Sequence, residues 1–310
     1  MVKRRGQPIH GWVNLDKPSG ISSAKALAIV RRTFDAAKAG HGGTLDPLAS
    51  GVLPIALGEA TKTVSYTMEK SKSYHFSLAW GAETNTDDTE GKVTRQSEIR
   101  PSDVDIDRAL EQFHGVIDQV PPDYSAIKID GARAYDLARQ VCAGQHLPTL
   151  KPREVQVYQF RRLESDQAGA QFVVGCGKGV YIRALARDLG RVLGTAAHVT
   201  CLRRLSVGQF HAEHAISLDF FENLTHSPDA FEHLHPILSA LDDIPALPIS
   251  GCEAKKLRHG QKLFALSASA KHRFSMLMAG STAIAIEDQT PVAFVILKAG
   301  AICPVRVLNL

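Results

Sequence analysis

The segment 41–51, HGGTLDPLASG, presents one carboxylate, Asp46, among glycines, small residues and apolar residues. A buried carboxylate without a partner is costly, so such a residue is usually capped, paired or used in chemistry. Gly42 and Gly43 permit backbone angles that are closed to other residues, and Pro47 keeps the residue before it out of the helical region. The pattern therefore predicts a shaped loop that presents Asp46.

The partner of this carboxylate should be a cation. Apolar side chains under the loop would exclude water, which disfavours the ionised form unless a cation lies beside it. Those side chains are Leu45, Leu48, Val52 and Leu53. Arg183 is the candidate partner, because it lies in the first turn of a predicted helix, where the dipole mildly disfavours a positive charge. An Arg183 that merely points to solvent is the alternative, and spacing alone does not choose between them.

Periodicity predicts the elements that must position these residues. WVNL at 12–15 is typical of a strand, and Ser22 or Ser23 can cap the helix that follows. Tyr74 to Trp80 alternates between apolar and polar residues, which predicts a half-buried strand with Tyr74 as a core aromatic. Residues 171–194 read as a strand, a glycine turn and a helix with an apolar face.

The middle of the chain mixes helices, strands and loops. The acidic segment 83–91, ETNTDDTEG, lacks the glycine that a calcium loop needs at its sixth position, so we interpret it as a polar hairpin connection. The remaining predictions are helices over 106–113 and 132–140, strands within 119–131 and 153–163, and an exposed, mobile loop around Gly144, Pro148 and Pro152.

A chain of 310 residues favours two domains. The linker-like segment LDDIPALPIS predicts a boundary near 245, with domains over 1–243 and 244–310. In the second domain we expect short strands, at SMLMA, TAIAIE, PVAFVIL and CPVRVLNL.

Residues 1–40 carry eight Lys/Arg against two Asp/Glu and residues 245–310 eight against three, so two basic regions could follow a phosphate backbone.

Composition excludes several classes of protein. Hydrophobic residues at 44% and charged residues at 22% are typical of a globular chain, and no apolar run predicts a membrane span or a signal peptide, so we expect a soluble, cytoplasmic protein. The five cysteines form no CxxC pair, and the glycines at 175, 177 and 179 do not fit GxGxxG. His211 and His214 have a metal-compatible spacing without further ligands nearby, which favours surface histidines.

Four longer motifs carry a family resemblance. LDKPSG, GHGGTLDPLASGVLPIALGEATK, GKGVYIRALARDLG and HVTCLRRL resemble the bacterial tRNA pseudouridine synthase family TruB over about residues 10–210, and more faintly to the end, where that family has a small RNA-binding PUA domain. The resemblance implies an α+β pseudouridine synthase fold, with a mixed, mainly antiparallel sheet flanked by helices and a β-rich, PUA-like C-terminal domain.

The resemblance also implies an activity and its partners. The family cuts the bond between uracil N1 and ribose C1′ of uridine 55 in the tRNA T-loop and rejoins the base through C5. It needs no metal or cofactor. We therefore expect tRNA as the partner, without a guide RNA or a membrane, and a monomeric enzyme.

Motif by motif, the resemblance assigns roles to particular residues. Asp46 matches the catalytic nucleophile, Arg183 its partner, and Tyr74 the aromatic packed over the target base. The substrate-binding positions are Tyr181 and Leu202 in the base pocket, His41 at the opened T-loop, and Lys17 with Pro18 in support of the pocket. We expect Arg203 and Arg204, with the two basic regions, to contact phosphates.

Independent chemistry agrees with these roles. A stacked uridine must be flipped out and its lost stacking replaced by an aromatic face. Breaking a glycosidic bond creates positive character at C1′, which a carboxylate can stabilise or capture.

Three alternatives remain. They are a non-catalytic RNA-binding protein, a guide-RNA-dependent synthase subunit, and a glycoside hydrolase that pairs Asp46 with Asp87 or Asp88.

Overall fold

The computed structural model describes residues 6–125, 127–129, 132–133, 150–224, 227–265, 268–275 and 277–310. The first part of the chain alternates strands and short helices. Its elements are β1 (Gly11–Lys17), α1 (Ser23–Thr33), β2 (Ala39–His41), β3 (Ser50–Leu57), α2 (Val64–Glu69), β4 (Lys72–Trp80), β5 (Ala82–Thr84), β6 (Val93–Gln96), α3 (Asp103–Leu110), β7 (Gly115–Gln119), β8 (Lys128–Ile129) and β9 (Ala132–Arg133).

The second part holds the longest strands and then a smaller sheet. Its elements are β10 (Arg153–Ser165), β11 (Gly169–Cys176), α4 (Ile182–Val192), β12 (Ala197–Val207), β13 (Phe210–His211), β14 (Ile216–Ser217), α5 (Leu218–Asn223), β15 (Ala246–Pro248), α6 (Gly251–Arg258), β16 (Leu263–Phe264), α7 (Ala268–Ser275), β17 (Thr282–Glu287), β18 (Thr290–Lys298) and β19 (Ala301–Val307).

Ten of these strands form one mixed sheet. Its main path runs β14-β1-β3-β12-β4-β11-β10-β7, with β2 paired to β3 and β13 paired to β12. Only the β1–β14 and β3–β12 pairs are parallel among the described pairs of this sheet, and all its other pairs are antiparallel. Apolar side chains of α1, α3, α4 and α5 pack with the sheet in one continuous core. The predicted α+β architecture, with a mainly antiparallel sheet flanked by helices, is confirmed.

Helix α4 lies very close to the sheet. A Cβ added at Gly190 would meet the Cβ of Ala197 on β12 at 2.9 Å, so only glycine fits this contact without a shift. Two of the three arginines of α4, Arg183 and Arg187, are buried. The helix therefore delivers charged groups into the interior, where they require partners.

Most of the predicted elements are confirmed. The strand at 12–15 lies within β1, and Ser22 caps α1 by accepting the backbone N–H of Lys25 at 3.2 Å. Burial alternates along β4 as expected, and the acidic segment joins the paired strands β5 and β6. The helix over 106–113 begins earlier and ends in a 3-10 turn at Phe113. No helix among the described residues has the length and apolar character needed to span a membrane.

Two of the predicted elements are wrong, and a third lies partly outside the described residues. The helix expected over 132–140 is wrong at its start, because Ala132 and Arg133 pair as a strand with β8, while 134–140 lie outside the described residues. The proposed loop around Gly144 and Pro148 also lies outside them. The strand expected at SMLMA is wrong, since α7 ends at Ser275 and Met278 is 79% exposed without strand pairing.

The C-terminal residues build a β-rich unit with its own core. Strands β15-β17-β18-β19-β16 form a five-stranded sheet, and α6 and α7 contribute buried side chains to its core. A second apolar layer joins this unit to the large sheet through Trp12, Phe210, Ile284 and Phe294. The ring of Phe294 stacks on Tyr66 of α2 at a centroid distance of 4.5 Å. The predicted β-rich C-terminal domain is confirmed, whereas the division at 243/244 stays a prediction.

The layer between the two sheets should contribute strongly to stability. Phe294 is fully buried in it, so Phe294→Ala leaves a cavity and should lower the free energy of unfolding by about 3–5 kcal/mol. Phe264 in the same unit is 61% exposed, and Phe264→Ala should change that energy by about 0.5 kcal/mol or less. Urea denaturation measures both. Equal effects would show that the two sheets do not pack through Phe294.

Candidate active site

Asp46 and Arg183 form an ion pair. The Nε of Arg183 lies 2.9 Å from Oδ2 of Asp46, which confirms the pairing expected from the sequence. The two side chains differ in exposure, with Arg183 at 5% and Asp46 at 39%. The expectation that apolar residues wall the carboxylate off from water is therefore wrong in part. Leu45 and Leu53 are buried beneath the loop, but the Asp46 side chain keeps an open side. An incoming group can reach it there.

The guanidinium of Arg183 is fixed from every side. Its Nη1 donates to the carbonyl of Thr86 at 2.6 Å and lies 3.5 Å from Oδ2 of Asp88. Its Nη2 donates to the carbonyl of Tyr124 at 2.9 Å. A buried charge is tolerated when it is paired and hydrogen-bonded in this way. Arg183 therefore holds a defined position against which Asp46 is oriented.

The acidic hairpin supplies the second carboxylate. Asp88 is buried, and its Oδ1 accepts the hydroxyl of Thr86 at 2.5 Å and the backbone N–H of Glu90 at 3.0 Å. The preceding Asp87 accepts Nη1 of Arg187 at 2.9 Å. Burial raises the pKa of Asp87 to about 6, and the charge of Arg187 opposes that rise. The hairpin is thus more than a polar connection, because its acids face the arginines of α4.

Sequence reasoning missed this arrangement, although a signal was present. Arg183, Arg187 and Arg191 recur every fourth residue and so share one side of α4. Their partners in the structure are Asp88, Asp87 and Glu83, which come from the acidic segment in the reverse order. A helix with three arginines on one side and an acid-rich hairpin elsewhere in the chain could have suggested the match.

The loop that carries Asp46 is tied to the turn after β1. The hydroxyl of Ser23 donates to the carbonyl of Leu45 at 2.7 Å and accepts its N–H at 2.8 Å. The N–H of Gly20 donates to the carbonyl of Pro47 at 2.8 Å, and the hydroxyl of Ser19 donates to the carbonyl of Leu48 at 2.7 Å. These contacts satisfy the backbone on both sides of Asp46, which fixes where its side chain begins.

Lys17 fastens the same two segments. Its fully buried ammonium donates to the carbonyls of Pro18 at 2.8 Å and Ile21 at 2.7 Å, and lies 3.5 Å from that of Pro47. Burial lowers the pKa of Lys17 to about 8, while the charge of Asp46 acts in the opposite direction. The structure thus places Lys17 as a clamp under the Asp46 loop.

Three further sequence-predicted residues line the same region. Tyr74 on β4 and Leu202 on β12 are 7% and 6% exposed. Tyr181 precedes the first turn of α4, where the side-chain amide of Gln119 binds its backbone N–H and carbonyl. Burial raises the pKa of both tyrosines, and the charge of Asp46 adds to the rise. Two aromatic rings therefore lie within electrostatic reach of one carboxylate.

His41 lies on β2, at the start of the Asp46 segment. Its Nδ1 is buried, and no hydrogen-bond partner for it is found among the described residues. Burial lowers the pKa of His41, with the charge of Arg204 acting in the same direction, so the ring is favoured in its neutral form. The ring thus keeps one buried nitrogen without a partner among the described residues.

The expectation that Arg203 and Arg204 contact phosphates is not supported. Arg204 is 1% exposed and donates to the carbonyls of Val52 and Gly43 at 2.7 and 2.9 Å. Arg203 forms two hydrogen bonds with Asp16, at 3.0 and 2.7 Å. The sequence pattern, two adjacent arginines, resembles a surface cluster, but a strand turns alternate side chains to opposite faces and buries one of the two. Arg204 is therefore unavailable to a phosphate.

His211 and His214 lie in and beside β13, where both are exposed. Within the described ranges, no group of three or more His, Cys, Asp or Glu side chains is arranged to hold a metal ion.

Comparison with known proteins places this site in a family. Residues 31–182 match the model of the TruB family pseudouridylate synthase N-terminal domain, and residues 183–244 match that of the tRNA pseudouridylate synthase B C-terminal domain. The tRNA pseudouridine synthase B of Rhodospirillum rubrum is 48% identical over 309 residues, with 99% of each chain covered. The chain belongs to the TruB family. The enzyme of the same name from Caulobacter sp. is 45% identical, again with 99% of each chain covered.

Solved structures agree with this fold. A Cbf5-Nop10-Gar1 complex contains a chain that is similar with a TM-score of 0.70 and 25% identity, over 96% of this chain and 85% of that one. A chain of an H/ACA RNP bound to a substrate RNA has the same TM-score at 24% identity, over 97% and 85%. The pseudouridine synthase fold predicted from the TruB motifs is confirmed.

The second carboxylate beside Arg183 should matter for the rate. Asp88→Asn removes one of the two negative partners of the guanidinium, so Arg183 and with it Asp46 should lose their defined position. A shift of 1 Å in a reacting group can cost about 100-fold, so we expect a rate constant of pseudouridine formation lowered by about 10- to 100-fold with unchanged tRNA binding. Single-turnover assays measure this rate.

Asp103→Asn is the control for Asp88→Asn. It breaks an exposed ion pair with Arg162, which lies outside the site, and should leave the rate as it is. A wild-type rate in Asp88→Asn would show that Asp46 is positioned without the hairpin.

The pKa of Lys17 predicts a pH profile. Above about pH 8 the ammonium loses a proton, and with it a hydrogen bond and its attraction to Asp46, so the rate at saturating tRNA should fall. The folded pKa lies below the usual value of 10.5, so the folded chain releases this proton first. Between pH 8 and 10.5 the unfolded chain holds the proton more readily than the folded chain, so the free energy of unfolding rises with pH in this window. This contribution of Lys17 to stability is lost as the pH falls through 8. The expected fall in rate above pH 8 is therefore not caused by unfolding.

Lys72 provides the control for this profile. Burial lowers its pKa to about 8 as well, but its ammonium binds the carbonyls of Met68 and Lys70 after α2. Lys72→Met should keep the falling rate, and Lys17→Met should have a low rate that no longer changes over this range. A flat profile in Lys72→Met would assign the titration to Lys72 instead.

Proposed function

We propose that this protein converts a uridine of tRNA into pseudouridine, and that the target is uridine 55 in the T-loop. The observation that carries the proposal is the ion pair of Asp46 with Arg183, in which the Asp46 side chain stays 39% exposed and its charge acts on Tyr74 and Tyr181. It occurs in a TruB chain, and the full-length relatives are named tRNA pseudouridine synthase B.

Base flipping accounts for the aromatic residues. A uridine stacked in a folded tRNA cannot reach Asp46, so it must leave the stack and find a new surface. Tyr74 lies on a paired strand of the sheet and Gln119 binds the backbone of Tyr181, so the backbone positions of both residues are fixed. In this proposal Tyr74 packs over the target base, Tyr181 and Leu202 line its pocket, and His41 contacts the opened loop.

The carboxylate accounts for the bond cleavage. When the bond between N1 and C1′ breaks, C1′ becomes electron-poor, and the carboxylate of Asp46 stabilises or captures it. Arg183 orients Asp46 for this step through their ion pair. The detached uracil then turns and C5 bonds to C1′, which displaces the Asp46 oxygen if it had captured C1′. The hydrogen on C5 leaves as a proton and N1 takes up a proton, so the overall reaction is an isomerisation. Buried Leu202 and its neighbours help to keep water from C1′.

The partner and its binding surface follow from charge. Residues 1–40 and 245–310 are both rich in Lys and Arg, and α6 ends with Lys255, Lys256 and Arg258. We assign 1–243 to catalysis and 244–310 to a PUA-like RNA-binding domain. Because this domain packs on the large sheet through an apolar layer, it offers tRNA a surface at a fixed distance from Asp46. The proposal is a monomeric, cytoplasmic enzyme that needs no guide RNA and no cofactor.

Hydrolysis fits the site less well. A hydrolase would need a second carboxyl group that can donate a proton to the leaving base. Asp88 is the carboxylate that shares Arg183 with Asp46, but it is buried, and its oxygens are engaged by Thr86, Glu90 and Arg183. Asp87 is engaged by Arg187. Neither carboxyl group is free to reach a leaving base.

Replacing Asp46 tests the proposal. Asp46→Asn keeps the shape of the side chain but removes its charge, so pseudouridine formation should fall by at least about 10⁴-fold while tRNA binding remains. The assay is tritium release from tRNA labelled at C5 of uridine. Asp219→Asn, a change at an exposed residue on α5, should keep full activity.

Chromatography of the nucleosides after the reaction separates isomerisation from hydrolysis, which would release free uracil. Full activity in Asp46→Asn would refute the catalytic role of Asp46, whereas a wild type that binds tRNA without forming pseudouridine would leave RNA binding by the basic regions as the function.

A further inference from the structure

Arg204 combines complete burial with a missing counterion. Its side chain is 1% exposed, yet none of the ion pairs among the described residues includes it. Its guanidinium is held by backbone oxygens instead. Nε donates to Val52 at 2.7 Å, Nη2 donates to Gly43 at 2.9 Å, and Nη1 lies 3.5 Å from the carbonyl of Thr44. Gly43 and Thr44 precede Asp46, and Val52 follows it, so one guanidinium closes the loop at both ends.

Arg204 also contacts the strand that carries Tyr74. Its backbone pairs with Tyr74 across β12 and β4. Burial raises the pKa of the Tyr74 phenol, and the charge of the Arg204 side chain opposes that rise. On the other side its backbone pairs with Gly51 of β3. A Cβ added at Gly51 would lie 2.2 Å from the Arg204 carbonyl, and the φ of Gly51 is +99°, so only glycine allows this approach.

We propose that Arg204 is a positioning residue that sets the distance and angle between the Tyr74 ring and the Asp46 carboxylate. Both groups would otherwise be placed by separate elements, Tyr74 by the sheet and Asp46 by a loop. Arg204 joins them through a single rigid plane, because a guanidinium directs its donors in fixed directions. This inference rests on the proposed function, since the aligned geometry is the one that a flipped base requires.

The chemistry of the side chain explains why lysine should not replace it. An ammonium is a single nitrogen on a flexible stem, so it cannot reach the carbonyls on both sides of the loop at once. Arg204→Lys keeps the charge and leaves some of these buried carbonyls without donors. The loop and the ring should then shift relative to each other, while surfaces that bind tRNA remain as they are.

The test separates positioning from phosphate binding. For Arg204→Lys we expect the single-turnover rate constant of pseudouridine formation to fall by about 100-fold, with the Kd for tRNA and its salt dependence unchanged. Weaker binding, with a slope of log Kd against log salt reduced by about one, would instead make Arg204 a phosphate ligand and overturn the proposal.

Arg162→Lys is the matched control. Arg162 also forms a two-pronged contact, with Asp107 at 2.9 and 2.8 Å, but its partners lie on α3 and outside the site. Its lysine variant should keep the wild-type rate. Thermal unfolding of both variants shows whether the assay temperature lies below the transition, and a rate lost only because Arg204→Lys is unfolded there would contradict the proposal.

A double-mutant cycle with Tyr74→Phe measures the coupling between Arg204 and Tyr74, which a purely structural role of Arg204 would not produce. If Arg204 acts in part through the phenol, the combined variant should lose clearly less than the product of the two single losses. Independent, multiplicative losses would overturn the link between ring and loop. A wild-type enzyme that forms no pseudouridine would refute the proposed function, whereas an active wild type with an equally active Arg204→Lys would refute this inference alone.

Discussion

The burial of Arg183 is the constraint on which the site depends. A guanidinium with 5% exposure cannot remain without anions and acceptors, and the chain supplies them from three distant segments. Asp46 comes from the loop after β2, Asp88 from the acidic hairpin, and a carbonyl from Tyr124. Asp46 is the more exposed of the two carboxylates, at 39% against 4% for Asp88, so Arg183 orients the accessible one. Its orientation is thus set by the need to neutralise a buried cation.

The same principle is repeated along α4. Arg187 meets Asp87 and Asp188, and Arg191 meets Glu83, so the hairpin lies on the helix through a ladder of ion pairs. The side chain of Arg183 is buried, whereas that of Arg191 is half-exposed. Water weakens the attraction between the charges at the Arg191 end. The end nearest to Asp46 is therefore the most rigid part of the ladder.

Sequence reasoning reached the local features and missed those that depend on distant partners. The strand of Tyr74, the cap of α1 and the loop around Asp46 follow from short patterns. The chemistry of an isolated carboxylate made Arg183 one candidate partner of Asp46, and the resemblance to the TruB family selected it. The burial of Arg204 did not follow, because which of two adjacent arginines faces inward is decided by register with β3 and β4. The open side of Asp46 was missed for the same reason, since leucines beneath a loop do not cover its top.

The hairpin ladder has a consequence for how such chains diverge. A residue inserted between Glu83 and Asp87 would change the spacing of Glu83 from the two aspartates. Glu83 could then no longer meet Arg191 while Asp87 and Asp88 meet Arg187 and Arg183. Substitutions on α4 and in the hairpin should therefore be inherited in matched sets. Grafting either segment alone from a distant relative should fail, even when every grafted residue is compatible with its own backbone.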